Sequence, residues 1–114
     1  MKKFTDYNFL NGKLIIISKP ENNITIGRLC VYDEYSDSII NFNAYSSCNP
    51  NDTFDINTGI KITKLKLAKQ YYKHNKQILK KIMSHNLHTY NSLQNKLNKT
   101  TKKLNNINFE LNKF

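Results

Sequence analysis

From Ile60 to Phe114 the chain runs 55 residues without a glycine or a proline. Nothing in that stretch forces the backbone out of a helix. It carries thirteen lysines and a single acid, Glu110, while the first 59 residues hold the other five cations and seven acids. The formal charge therefore divides into −2 and +12. Two physical parts follow within a single domain: residues 1–59, turn-rich and near neutral, and residues 60–114, helical and cationic. The second part is expected to meet an anion, which would offset its self-repulsion, or to pack with copies of itself.

Asn, Lys and Ile dominate the composition, as expected of an AT-rich coding sequence. Arg28 is the one arginine. Bidentate recognition of phosphate or guanine favours arginine over lysine, so this balance argues against a dedicated base reader. Cys30 and Cys48 form neither a CxxC pair nor a disulfide framework, and reduced thiols are expected. No apolar run follows the charged N-terminus, so the sequence predicts no signal peptide. Leu14–Ile17, the longest apolar run, is far too short to span a bilayer. The expected setting is the bacterial cytoplasm, with no membrane partner.

The first part reads as an antiparallel meander. Asn11-Gly12 suits a type I′ turn and is followed by a β-branched run, Ile15-Ile16-Ile17. Pro20–Asn23 is a second turn. Ile24–Tyr32 alternates, with Ile24, Ile26, Arg28, Cys30 and Tyr32 on one face and Thr25, Gly27, Leu29 and Val31 on the other. Ser38–Tyr45 is a fourth strand with Ile40, Phe42 and Ala44 on one side. About four such strands make a sheet that needs a helix to cover one face. Arg28 is either a cation presented to an anionic ligand or a surface charge that guards against edge pairing.

Residues 60–83 sort into a broad apolar arc containing Leu65, Leu67, Ala68, Tyr71, Tyr72 and Leu79, bordered by Lys66, Lys69, Lys73, Lys76 and Lys80. Like charges at i,i+4 cost about 0.2–0.5 kcal/mol per pair, which burial of the arc or a bound anion must offset. Residues 87–112 carry a narrower seam: Tyr90, Leu93, Leu97, Leu104, Ile107 and Leu111. An Asn-rich helix with such a seam needs a partner, either the preceding helix in a hairpin or the same helix in another copy. The fold class predicted is thus α+β: a four-stranded meander, then two helices as a hairpin or coiled coil. Homo-oligomerisation through the helices is expected.

The junction has the most specific spacing. Pro50 disfavours helix at Asn49, Asp52 or Asp55 can cap a helix, Phe54 can anchor it, and Gly59 can permit close backbone approach. The string Cys48-x-Pro50-x-Asp52-x-Phe54-Asp55-x-x-x-Gly59-x-x-Ile62 resembles a segment of small proteins from Gram-positive phages and prophages. That family continues with a small residue and an arginine; Thr63 and Lys66 stand here. The order of sheet then two helices is also similar to phage anti-Thoeris sponge proteins. That likeness implies an oligomer that sequesters cyclic ADP-ribose signals made by bacterial TIR enzymes.

His85 and His88 lie three apart with no carboxylate or cysteine near them in sequence, so no metal is expected. Paired carboxylates, a phosphate-cradling glycine loop and a Ser/His/Asp order are missing from the sequence, so neither catalysis nor a cofactor is expected. The leading expectation is a non-enzymatic phage counter-defence protein that sequesters an anionic nucleotide of the cyclic ADP-ribose or cyclic dinucleotide type. Lys66, Lys69, Lys73 and Lys76 would meet phosphates, Tyr71 or Tyr72 would stack a base, and Arg28 would add a cation. The alternatives are a nucleic-acid-binding accessory protein and an inhibitor of a host defence protein, such as an anti-phage enzyme or CRISPR nuclease.

Overall fold

The computed structural model describes residues 2–48, 55–85 and 90–114. The architecture is α+β. Strands β1 (Lys2–Phe9), β2 (Gly12–Lys19), β3 (Ile24–Asp33) and β4 (Ser38–Ser47) form one antiparallel sheet in chain order, followed by helices α1 (Ile56–His85) and α2 (Tyr90–Leu111). Two compact units result, Met1–Leu67 and Ala68–Phe114. Helix α1 is wider at both ends than its apolar arc implied.

The first hairpin departs from expectation. The turn is Leu10-Asn11, both at positive φ (52° and 61°), and Gly12 lies opposite Phe9 inside the ladder. The reason is steric. A Cβ on Gly12 would sit 2.5 Å from the Cys30 carbonyl oxygen and 2.8 Å from Val31 Cγ2, so glycine serves strand packing rather than the turn. A register irregularity between Asp6 and Phe9 accompanies this shift, and the Asn8 amide donates to Asp6 Oδ1 there (2.9 Å). Beyond it Phe4 faces Ile16 and Asp6 faces Leu14.

A 3-10 turn at Pro20–Asn22 joins β2 to β3, closed by Asn23 in the left-handed region, a conformation asparagine tolerates. The next turn is organised by Asp33, whose carboxylate accepts from the Tyr35 amide (3.3 Å) and the Ser36 hydroxyl (2.7 Å).

The alternation in β3 resolves cleanly. Thr25, Gly27, Leu29 and Val31 are buried beside Leu14, Ile16 and Ser18 of β2 and Ser46 of β4. Ile26, Arg28 and Tyr32 are exposed on the opposite face. The first turns of α1 cover the buried face, where Leu67 is fully enclosed. Burial of each such leucine contributes about 1.5–3 kcal/mol. Contact is made through small residues. A Cβ on Gly27 would lie 2.5 Å from Thr63 Cγ2 and 2.9 Å from Leu67 Cδ1, and one on Gly59 would lie 2.5 Å from Thr25 Oγ1. The Ser46 hydroxyl donates to the Gly59 carbonyl and sits 3.1 Å from the Thr63 hydroxyl. The expected close approach at Gly59 is present. Thr63 is fully buried.

In the second unit Leu79, Met83 and Leu93 form a buried cluster, with Ile82 and Leu97 packed on it. Lys103 lies over the Tyr72 ring, so α2 runs back antiparallel along α1. The helices form a hairpin, and at Leu93 and Leu97 the seam is closed within the chain rather than by a copy. Leu104 is buried, Ile107 and Leu111 are half-buried, and the Tyr90 side chain lies outside the described residues.

The tight contact over β3 has a measurable consequence. Gly27→Ala lowers stability by about 1–3 kcal/mol in urea unfolding, because the packed helix must give way. Thr63→Ser removes the obstructing methyl and recovers part of that loss in a double-mutant cycle. Additive losses would contradict the contact.

Candidate functional site

Lysines throughout this structure lie over aromatic rings. Lys13 Nζ is 5.3 Å from the Tyr7 centroid and Lys66 Nζ is 5.9 Å from that of Tyr45. Lys64 lies 4.9 Å from Phe4 and 5.7 Å from Phe9. Lys103 lies 5.2 Å from Tyr72 and Lys113 4.9 Å from Phe109. Lys113 also pairs with Glu110 at 3.0 Å. With acids scarce, ring quadrupoles provide much of the electrostatic partnering, at about 0.5–1 kcal/mol for exposed pairs.

The expected ligand residues divide between the units. Arg28 and Lys66 belong to the first. Arg28 is exposed on the open sheet face, where its Nε donates to Asn43 Oδ1 (3.3 Å). Lys66 donates to the Tyr45 carbonyl (2.9 Å). Lys69, Tyr71, Tyr72, Lys73 and Lys76 belong to the second. There Tyr71 and Tyr72 pack edge to face with centroids 5.1 Å apart, and Lys103 of α2 covers Tyr72. Tyr72 is half-buried, and Lys73 is exposed.

Tyr45 and Tyr7 were missed in the sequence. They are 64% and 71% exposed, each with a lysine over its ring. The signal was in the alternation: Tyr45 shares its face with Asn43 and Asn41, opposite Ile40, Phe42 and Ala44. Tyr32, on the same side of the sheet, is differently engaged. Its hydroxyl donates to Asp37. That bond foremost, then burial and the charges of Glu34 and Asp33, holds the phenol above its ordinary value.

At the junction, Asp55 is the helix cap. Its Oδ1 accepts from the Asn57 amide (3.0 Å) and its Oδ2 from the Thr58 hydroxyl (2.7 Å). The Thr58 hydroxyl bond and then the Asn57 amide hold the carboxyl below its usual value of 3.8. The Cys48 amide donates to the Asn23 carbonyl (2.8 Å), tying the end of β4 to the turn before β3. Pro50, Asp52, Phe54 and His88 lie outside the described residues. Cys30 and Cys48 form no disulfide, and the Cys30 thiol donates to Asn41 Oδ1 (2.8 Å). Among the described residues no cluster of His, Cys, Asp and Glu could hold a metal, and no helix is long and apolar enough to cross a membrane.

Comparison with known proteins finds no matching family model, no matching curated protein and no matching solved structure.

The Asp55 cap gives a pH signature. Its folded-state pKa is depressed, so its contribution is present above 3.8 and lost as pH falls through the folded value. Asp55→Ala is expected to be less stable than the parent at neutral pH. The two should converge in thermal melts taken below that range. A gap that persists at low pH would assign the effect to something other than the ionised cap.

Proposed function

We propose that this protein is a non-enzymatic binder of an anionic, base-bearing ligand of the nucleotide class, which it retains rather than transforms. One observation carries the reading: exposed tyrosine rings stand beside lysine ammonium groups at Tyr7/Lys13 and Tyr45/Lys66. A nucleotide presents the complementary pair, a flat π surface for the ring and a phosphate for the cation. The net charge of +10 favours capture of such an anion. Sequestration of a cyclic ADP-ribose or cyclic dinucleotide signal, in a phage counter-defence role in the host cytoplasm, is the biological form implied by two likenesses, that of the junction to phage and prophage proteins and that of the order of sheet then two helices to the anti-Thoeris sponges.

Isothermal titration of the full chain with cyclic ADP-ribose isomers, cyclic dinucleotides and short oligonucleotides tests the reading. Saturable heat is expected with at least one, weakening as salt rises. Absence of heat with all of them at low salt, at protein concentrations of tens of micromolar, would exclude the reading. Native mass spectrometry of the same material reports copy number and retained ligand together.

A further inference from the structure

The first turns of helix α1 cover one face of the sheet, and the other face has no covering element among the described residues of the first unit. Strand pairing places two rows side by side on that open face. Lys3, Ile17, Ile26 and Tyr45 form one; Thr5, Ile15, Arg28 and Asn43 form the next. Lys13 and Lys19 of β2 share the face. Its described strand residues include four cations and no Asp or Glu. The isoleucines provide a flat apolar floor, and the tyrosine rings stand at its margins.

The charge decides what can cover this face. A second copy laid face to face would set lysines and Arg28 against their own counterparts in a desolvated interface, which costs several kcal/mol. A polyanion with exposed apolar rings complements it instead. A duplex keeps its base faces stacked inward and offers phosphates and groove edges, leaving the tyrosines no ring to stack on. A single strand offers both bases and phosphates. The spacing agrees: Tyr45 on the β4 edge and the Tyr7/Lys13 pair on the β1 side occupy opposite corners. Three interstrand spacings and four residues of strand put these corners roughly 20 Å apart. That exceeds the reach of one nucleotide and suits a strand of several.

We propose that the open face of the N-terminal sheet is a platform for single-stranded nucleic acid, on which Tyr45 and Tyr7 stack bases while Lys3, Lys13, Arg28 and Lys66 meet phosphates. This rests on the nucleotide-binding reading above and assigns it a site and a ligand class. The Arg28 guanidinium is steadied through its Nε by Asn43, and Lys66 is held at the β4 edge by the Tyr45 carbonyl. Both cations are thereby partly ordered before a ligand arrives, which reduces the entropy lost on binding. Recognition is expected to be tolerant of sequence, because every base has a face to stack.

Fluorescence anisotropy of the full chain tests this with labelled oligo-dT and oligo-rU of about twelve nucleotides, within the range one such sheet covers, and a duplex control. Binding to at least one single strand, tighter than to duplex, is expected. The slope of log K against log salt should be about −0.7 for each phosphate neutralised. The dT and rU arms distinguish DNA from RNA. Tyr45→Ala and Arg28→Gln should each weaken binding about tenfold, the scale of one lost stacking contact, while Tyr45→Phe retains it. Lys73→Gln/Lys76→Gln, in the helical hairpin, should leave the single-strand preference in place. All these side chains are exposed or partly so, and circular dichroism confirms that the variants fold.

Loss of binding in the hairpin variant with none in Tyr45→Ala would overturn the platform and leave the nucleotide-binding reading standing. Heat with a cyclic nucleotide but no oligonucleotide binding at low salt would do the same. No binding to either ligand class removes both. A dimer that Tyr45→Lys converts to monomer, with no strand bound, would assign the face to a second copy and overturn the proposal.

Discussion

Helix α1 meets the sheet where neither side has much side chain. Gly27 admits the Thr63 methyl and Leu67; Gly59 admits the Thr25 hydroxyl; Ser46 bonds to the Gly59 carbonyl and lies against the Thr63 hydroxyl. Bulk at any of these positions lifts the helix away, and Leu14, Ile16 and Leu29 lose their cover. A four-stranded meander with both faces wet has little reason to persist. The small-residue contact therefore determines which face is core, and by elimination which face is left to the outside. The exposure of Arg28, Tyr45 and the isoleucines of the open face depends on it.

Much of this was legible in the chain. The spacing of turns and β-branched runs implied the meander, and the alternation Thr25/Gly27/Leu29/Val31 against Ile26/Arg28/Tyr32 separated the faces correctly. It did not say which face would be buried, because Ile24, Ile26 and Cys30 look as suitable for a core as Thr25 and Gly27 do. The answer required a partner: a helix bearing Gly59 and Thr63 fits a groove at Gly27, whereas an isoleucine-lined face offers none. The Asn11-Gly12 pair carries a strong local turn preference, yet the turn forms one residue earlier. Tertiary crowding by Cys30 and Val31 reserves the glycine for the strand, and no local rule reads that.

The candidate site was legible in part. The lysine edge from Lys66 to Lys80 looked continuous along one helix, and nothing in a periodicity says where a helix changes neighbours. The structure makes that change at Leu67 and Ala68. Lys66 works with the sheet, whereas Tyr72 is engaged from α2. The narrow seam read as an assembly surface is, at Leu93 and Leu97, the closing face of a hairpin, since a helix cannot tell a neighbour in its own chain from one in another. Tyr45 has no lysine close to it in sequence, and Lys66 is brought to it by folding.

The habit of setting lysines over rings has a consequence for acid. An ion pair is lost when its carboxylate gains a proton, whereas a phenyl or phenol ring has no proton to gain between about pH 3 and pH 7. Lys13, Lys64, Lys66 and Lys103 therefore keep these ring partners through the range in which an ordinary salt-bridged surface comes apart. A carboxylate that must stay ionised to hold its partners lies elsewhere, at the Asp55 cap. Among the described residues these lysines are set against groups indifferent to mild acid, whereas the start of α1 hangs on an ionised carboxylate.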